Sequence, residues 1–175
     1  MKKIILTVFA ATSLLLYSTP SFAISLSVGV PIGASIKNDA GTEVADGASG
    51  YFLGVQLPFG LGLGMDSHKT KFKDSSTLKV ATSMYNLYYQ LPVPVVSLIL
   101  GLGTGNSNYD CPGCAEIFDK GAATQWYTSI GFPIIPFFDI HLSYRSITSK
   151  NIKDPDGTKY DVSGTITGIG LAFNF

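Results

Sequence analysis

Charged residues are scarce in this sequence. Asp, Glu, Lys and Arg make up 14% of its 175 residues, whereas a soluble domain has about 25%. Long apolar runs are also missing after the amino end, where no segment reaches the roughly 18 apolar residues of a spanning helix. The first shortage argues against an ordinary soluble domain, and the second argues against membrane-spanning helices. A closed β-barrel fits both, because its strands satisfy their backbone hydrogen bonds inside lipid.

The charges that are present balance each other. Twelve basic residues stand against twelve acidic ones, and this balance does not indicate nucleic acid binding. The sequence has no motif that predicts a cofactor or a metal site. We therefore expect neither.

The amino end has the features of a secretory signal peptide. Residues 1–23 begin with two lysines, continue with an apolar core and close on small residues at the end. The core, from about Ile4 to Leu16, is shorter than the roughly 20 residues of a spanning helix. We expect cleavage after Ala23, which leaves residues 24–175 as one mature barrel domain.

Charge divides the remaining chain into alternating segments. Four charged clusters cover residues 37–46, 66–79, 110–120 and 139–161. The uncharged intervals contain three proline-rich breaks, at Leu57–Gly60, Leu91–Val96 and Phe132–Phe138. Because proline cannot donate to a strand ladder, these breaks indicate tight turns. Three tight turns and four charged loops predict eight antiparallel strands, with short periplasmic turns and long external loops.

Side chains alternate along these segments with a period of two, as in β-strands. We expect the large apolar residues to face lipid, and Pro31 predicts a bulge in the first strand. The outward set begins with Ile24, Leu26, Val28, Val30, Ile32, Ala34 and Ile36 and ends with Ile169, Leu171, Phe173 and Phe175. The fourth strand is apolar on both faces, and its register is weakly specified; Tyr85, Leu87, Tyr89 and Leu91 are assigned outward.

Glycine falls mostly on the inward positions. A barrel of about eight strands encloses only enough space for side chains, so we expect a filled lumen. The alternative is a soluble sandwich or a lipocalin-like barrel, whose strands also alternate. Such a protein would have glycine and serine on its surface and its large apolar residues inside.

With these strands, turns and faces, the chain resembles the small outer-membrane β-barrel proteins of Gram-negative bacteria, the eight-stranded group similar to OmpA and OmpX. The resemblance covers the mature chain and is architectural. Its most specific part is the alternation of Ile169, Leu171, Phe173 and Phe175, which is similar to the terminal insertion signal of that class. The resemblance implies an all-β, eight-stranded antiparallel up-and-down transmembrane β-barrel, inserted by the barrel-assembly machinery and monomeric.

The resemblance also implies a location and a function. The protein is expected in the bacterial outer membrane, in contact with lipid and lipopolysaccharide, with a role carried by its external loops in envelope structure, surface interaction or lipopolysaccharide contact. Two other classes stay open: a narrow channel or small-ligand carrier, and a lipid A-modifying enzyme.

The third external loop contains Cys111 and Cys114, separated by proline and glycine. In an oxidising compartment this spacing predicts a small disulfide, because proline and glycine suit the central positions of a turn. A redox pair remains an alternative, although it lacks the strand-to-helix context of thioredoxin-like motifs. A metal site would need about four ligands where this loop supplies two thiols.

The seventh strand has Asp139, His141, Ser143 and Arg145 on one inward face. Three of these are the residue types of a hydrolytic triad, but residues two apart in a strand lie about 7 Å apart, beyond direct hydrogen-bond reach. His141 and Ser143 also resemble the His-x-Ser fragment of lipid A deacylases, whose site faces lipid and needs a later glutamate that is missing here. We expect no enzyme, and a lumen network in which Arg145 pairs with Asp139 or Asp66.

Lysines continue the third strand beyond the apolar segment. Lys69, Lys71 and Lys73 keep the outward register, and Lys79 follows across the hairpin. We expect these four to contact lipopolysaccharide phosphates at the outer rim. An ordinary solvated hairpin is the alternative.

Overall fold

The structure is a computed structural model, and it describes residues 24–38, 41–73, 77–93, 95–112, 119–135, 137–153 and 156–175. The expected signal peptide, residues 1–23, lies outside the described residues. The strands are β1 (Ser25–Asn38), β2 (Gly41–Val44), β3 (Ala48–Gln56), β4 (Leu61–Lys71), β5 (Lys79–Leu91), β6 (Ser97–Asp110), β7 (Gly121–Ile135), β8 (Phe138–Lys153) and β9 (Lys159–Asn174). A short 3-10 turn, Pro58–Gly60, joins β3 to β4. No helix in the described part of the chain is long and apolar enough to cross a membrane.

Eight of these strands close into a barrel. β1 pairs with β3, each strand from β3 to β8 pairs with the next, and β9 pairs with β1, always antiparallel. β2 is a short extra strand on the outer end of β1. Cross-strand partners can be followed from Val28 through every strand of the barrel until they return to β1. They return at Lys37, nine residues beyond Val28. This offset means that the strands are strongly tilted. The predicted eight-stranded antiparallel barrel is confirmed.

Large apolar side chains cover the outside of the barrel. Leu63, Tyr85 and Leu102 are 58%, 69% and 70% exposed, which is favourable against lipid. We call the apolar belt the outward-facing set that the strands contribute: Leu26, Val28, Val30, Ile32, Tyr51, Leu53, Val55, Leu61, Leu63, Met65, Tyr85, Leu87, Tyr89, Leu100, Leu102, Trp126, Ile130, Phe132, Phe138, Leu142, Tyr144, Ile169 and Leu171. Aromatic residues stand at both edges, with Tyr51, Trp126 and Tyr144 towards the long loops and Tyr89, Phe132 and Phe138 towards the short turns, as at membrane interfaces. The predicted lipid-facing register is confirmed for these positions.

Inward glycines make room for tyrosine rings. A Cβ added at Gly62 would lie 2.1 Å from Cζ of Tyr88, and one added at Gly101 would lie 2.2 Å from Cε1 of Tyr127. Each glycine is the cross-strand neighbour of the tyrosine concerned. The two rings approach edge to face, with centroids 6.4 Å apart. The lumen is therefore filled by large side chains that lie over glycines in the adjacent strands.

The fourth predicted strand, β5, has a definite register. Met84, Asn86 and Tyr88 face the lumen and are at most 5% exposed. Tyr85 and Leu87 face outward, as expected. The sequence left this register weakly specified because both faces are apolar.

The outer half of β1 corrects the predicted alternation. Its pairing with β9 shifts between Pro31 and Gly33, which confirms the bulge predicted at Pro31. Beyond the bulge, Ala34 and Ile36 face the interior, and Ile36 is only 5% exposed. The prediction that these two residues face lipid is wrong, because the extra residue of the bulge moves the following side chains to the other face.

The charged clusters are mostly strand. β4 runs to Lys71 and β5 starts at Lys79, while β8 runs to Lys153 and β9 starts at Lys159. These two clusters therefore contain strand ends as well as loops, which agrees with the strand positions predicted for residues 139–145 and for Lys69 and Lys71. Strands stay paired after they leave the lipid, and there their outward side chains can be charged.

Candidate functional site

An ion pair crosses the middle of the lumen. Nε of Arg145 in β8 lies 3.0 Å from Oδ2 of Asp66 in β4, and the two residues are 6% and 1% exposed. Nε2 of Gln125 also donates to Oδ2 of Asp66, at 2.7 Å, and to Oδ1 of Asn86. A buried charge pair needs such added hydrogen bonds to offset its lost hydration.

Two aromatic rings enclose the guanidinium of Arg145. Its Cζ lies 3.6 Å from the ring centroid of Phe52 and 4.9 Å from that of Tyr127. Nη1 donates to Oγ of Ser143. A cation held between ring faces at these distances gains cation–π attraction in a dry setting. We call Phe52, Asp66, Asn86, Gln125, Tyr127 and Arg145 the central lumen layer.

A second polar group lies on the side of the short turns. Oγ of Ser97 donates to Oδ2 of Asp139 at 3.1 Å, and Nε2 of Gln90 donates to Oγ of Ser97 at 3.3 Å. Oγ of Ser129 lies 3.3 Å from Nδ1 of His141. Asp139 therefore bonds within this group, and the structure pairs Arg145 with Asp66, one of the two carboxylates considered from the sequence.

The lumen narrows again towards the outer end. Ser107 links Thr82 and Ser149 through hydrogen bonds of 2.8 and 2.7 Å. Above them, four buried residues form an apolar cluster, the outer plug, made of Ile36, Val80, Ile152 and Val162. Two small cavities, of about 60 and 30 Å³, lie between these layers. Cavities of this size hold a few water molecules.

His141 does not complete a working triad. Its Nε2 lies 3.9 Å from Oδ2 of Asp139 and has no hydrogen-bond partner among the described residues. Ser143, the serine considered from the sequence, bonds instead to Arg145 and to the carbonyl of Gly168. The adjoining cavity of about 60 Å³ is too small for an acyl chain. The arrangement is suited to holding the barrel wall in place.

The predicted rim lysines lie above the belt on β4, β5 and their connection. Lys69 and Lys71 keep the outward register of Met65, and Lys71 and Lys79 are cross-strand neighbours. Lys73 is exposed just beyond β4. We call Lys69, Lys71, Lys73 and Lys79 the rim lysine patch.

Two carboxylates reach into this patch. Nζ of Lys69 lies 2.7 Å from Oδ2 of Asp110, and Nζ of Lys71 lies 2.7 Å from Oδ2 of Asp46. Lys71 holds the pKa of Asp46 below its ordinary value, and Lys69 does the same for the pKa of Asp110. Among the side chains that the structure describes, two acidic groups stand against four lysines, which leaves a net positive charge.

The other predicted residues are partly outside the described chain. Cys111 follows β6, and Cys114 lies outside the described residues, so the disulfide stays a prediction. In the expected insertion signal, Ile169 and Leu171 face outward at 39% and 50% exposure. The Phe173 ring lies 4.7 Å from that of Phe138 and 4.4 Å from that of Phe175, centroid to centroid.

Sequence reasoning missed the neutral members of the central lumen layer. Phe52, Asn86, Gln125 and Tyr127 all stand on inward positions, but nothing marked them as partners of Arg145. Tyr127 could have been found from the sequence, because a large inward ring in a narrow lumen needs a glycine beside it in the adjacent strand.

No family model matches the chain, and no curated protein is similar enough in sequence to match it. Among solved structures, the barrel is similar to Neisserial surface protein A, with a TM-score of 0.68, 14% identity, and coverage of 89% of this chain and 98% of that one. It is also similar to the N-terminal β-barrel domain of Pseudomonas aeruginosa OprF, with a TM-score of 0.51, 11% identity, and coverage of 86% and 97%. At these identities the likeness shows the fold. The chain has the fold of the small bacterial outer-membrane barrels, and its apolar belt is suited to face lipid.

Proposed function

We propose that this protein is a closed outer-membrane barrel that acts at the cell surface, where its rim lysine patch contacts lipopolysaccharide phosphates. The observation that carries the proposal is the register of the patch. Lys69 and Lys71 continue the lipid-facing side of β4 directly above Met65. Their ammonium groups therefore point towards the surrounding lipid head groups and away from the lumen.

The height of the patch suits this contact. Lys69 lies four residues beyond Met65 on β4, which is about 10 Å of height at about 3.4 Å per residue and a tilt of about 40°. A lysine stem can bend back along the barrel and place its charge lower, near the edge of the belt. The patch thus reaches the level where the outer head groups begin.

The two ion pairs in the patch do not block an anion. Both lie at the surface, where Lys69 and Asp110 have side chains that are 55% and 37% exposed. Exposed pairs of this kind are weak, so a doubly charged phosphate can replace a carboxylate as the partner of a lysine.

A charge-matched comparison tests the contact. We would replace the rim lysine patch with glutamine (Lys69→Gln, Lys71→Gln, Lys73→Gln, Lys79→Gln). The control would replace four exposed lysines elsewhere: Lys37, Lys120, Lys150 and Lys159. The measurement is the lipopolysaccharide retained by each purified barrel after detergent extraction, together with binding of lipid A with and without its phosphates. Selective loss in the patch variant, dependent on the phosphates, supports the contact, whereas equal retention in both variants contradicts it.

A further inference from the structure

The three short turns, at the end of the barrel away from the rim lysine patch, each contain a non-glycine residue with a left-handed backbone conformation. Phe59, Val95 and Phe137 have φ angles of 74°, 78° and 80°, and no other non-glycine residue in the described chain has a positive φ. In the sequence a proline directly precedes each of them. A type II turn favours proline at its second position and glycine at its third. Each turn therefore has a bulky apolar residue where glycine would be free of strain.

This backbone holds the three side chains away from the barrel. Phe59 is 65% exposed, Val95 is 85% exposed and Phe137 is 64% exposed. Their neighbours Ile134 and Ile135 are also exposed, at 58% and 56%. We call Phe59, Val95 and Phe137 the apolar turn tips. Turns that face water are ordinarily built from polar residues and glycine, so these turns are unsuited to an aqueous surface.

The apolar belt on the strands is short for an outer membrane. From Trp126 to Phe132 in β7, and again from Phe138 to Tyr144 in β8, the apolar belt advances six residues, about 16 Å of height at about 3.4 Å per residue and a tilt of about 40°. Barrels of this membrane have an apolar band about 25 Å tall. Leu57 and Leu61 flank the first turn and are 46% and 49% exposed. The turns therefore lengthen the belt at its lower edge without a charged residue between.

We propose that the apolar turn tips insert their side chains among the acyl chains of the inner leaflet, while the polar backbone of the turns stays at the level of the head groups. Continuity with the apolar belt identifies lipid as the occupant, because the belt is already a lipid-facing surface. Burial of three large side chains in lipid offsets the strain of their left-handed backbone. The barrel is then anchored from below by its turns, and its charged strand ends stand in water above.

A tryptophan placed at a turn tip reports its surroundings. Trp126 is the single tryptophan of the chain, so the variant Trp126→Phe/Phe137→Trp carries one reporter at a tip. The control Trp126→Phe/Lys150→Trp carries one at an exposed site on the outer side. Both would be reconstituted in phosphatidylethanolamine–phosphatidylglycerol vesicles, with brominated acyl chains or with iodide on both sides.

The insertion predicts opposite behaviour for the two reporters. The tip tryptophan should emit at shorter wavelength than the control, be quenched by brominated acyl chains and resist iodide. Quenching of the tip by iodide as strong as that of the control would overturn the proposal and would point to a periplasmic partner or to bare solvent.

A second variant tests the insertion without a tryptophan reporter, in case the reporter variants do not fold. The triple change Phe59→Gly, Val95→Gly and Phe137→Gly removes the backbone strain together with the apolar side chains. If the tips insert, the urea midpoint of the variant in vesicles falls below that of the wild type despite the relief of strain. A midpoint equal to or above the wild type overturns the proposal. Lipopolysaccharide retention is measured on the same variant and should be unchanged, which keeps this result independent of the rim lysine patch.

Discussion

Arg145 in β8 donates to Asp66 in β4 across the lumen, with Nε 3.0 Å from Oδ2, although β4 and β8 are not neighbours in the barrel. The contact joins walls that backbone pairing does not connect. Since both residues are almost completely buried, loss of either partner leaves the other charge poorly solvated.

Removing one partner of this pair should be costly. Asp66→Ala leaves the Arg145 guanidinium buried without its counter-charge, and we expect a loss of about 3–5 kcal/mol in the free energy of unfolding. Urea unfolding of the refolded barrel in lipid vesicles measures it. Asp156→Ala, which truncates an exposed carboxylate, should change little.

Removing both partners should cost much less. The double variant Asp66→Leu/Arg145→Met replaces the buried pair by apolar side chains of similar length, an exchange that is often neutral. We expect it to regain most of the stability lost in Asp66→Ala. Equal losses in the single and double variants would show that the pair is not the reason for the effect.

The lumen has two barriers in series, the central lumen layer and the outer plug. We expect no stepwise conductance from the refolded wild type in planar bilayers. Opening one barrier, with Tyr127→Ser/Arg145→Ser or with Ile36→Ser/Ile152→Ser, should leave the barrel closed, and only the combined variant should conduct. Conductance in the wild type would contradict a closed lumen and favour a channel.

The outward side of this barrel was predictable because lipid enforces it. A one-residue slip would turn every large apolar side chain of a strand inward, so the alternation specifies the face wherever it is unbroken. It failed at Ala34 and Ile36 because proline indicates a bulge without indicating how the following residues are re-paired. Charge marks the level at which lipid ends, and it does not mark the ends of the strands, because β4 and β8 continue past that level.

The lumen was predictable only as a list of inward residues. Which of them meet depends on the offset between strands round the barrel, and alternation within a strand carries no information on that offset. Asp66 and Asp139 were thus equal candidates for Arg145 in the sequence. The tilt brings β4 and β8 together at Asp66, while Asp139 lies lower, beside Ser97.

The glycines under the tyrosine rings offer a test of lumen packing. In Gly101→Ala the new methyl group would lie 2.2 Å from Cε1 of Tyr127, so the ring must move within a filled lumen. We expect a loss of about 1–3 kcal/mol in unfolding free energy. The double variant Gly101→Ala/Tyr127→Leu should lose less than the sum of its single changes, because the smaller side chain leaves room for the methyl group. Strict additivity in urea unfolding would contradict this contact.

Asp46 and Asp110 should compete with phosphate for the rim lysine patch. Lysine neighbours lower both carboxyl pKa values from the ordinary 3.8, so both groups stay ionised at neutral pH. Their contribution to stability is present above that ordinary value and is lost only as the pH falls through the lowered pKa values.

Neutralising these carboxylates at neutral pH should therefore strengthen anion binding. We expect Asp46→Asn/Asp110→Asn to retain more lipopolysaccharide than the wild type, with little change in stability because the ion pairs are exposed. The charge-matched control is Asp119→Asn/Asp156→Asn, which neutralises two exposed carboxylates elsewhere. An equal gain in the control would attribute the effect to net charge alone, and no gain in either would mean that the lysines do not meet the phosphates.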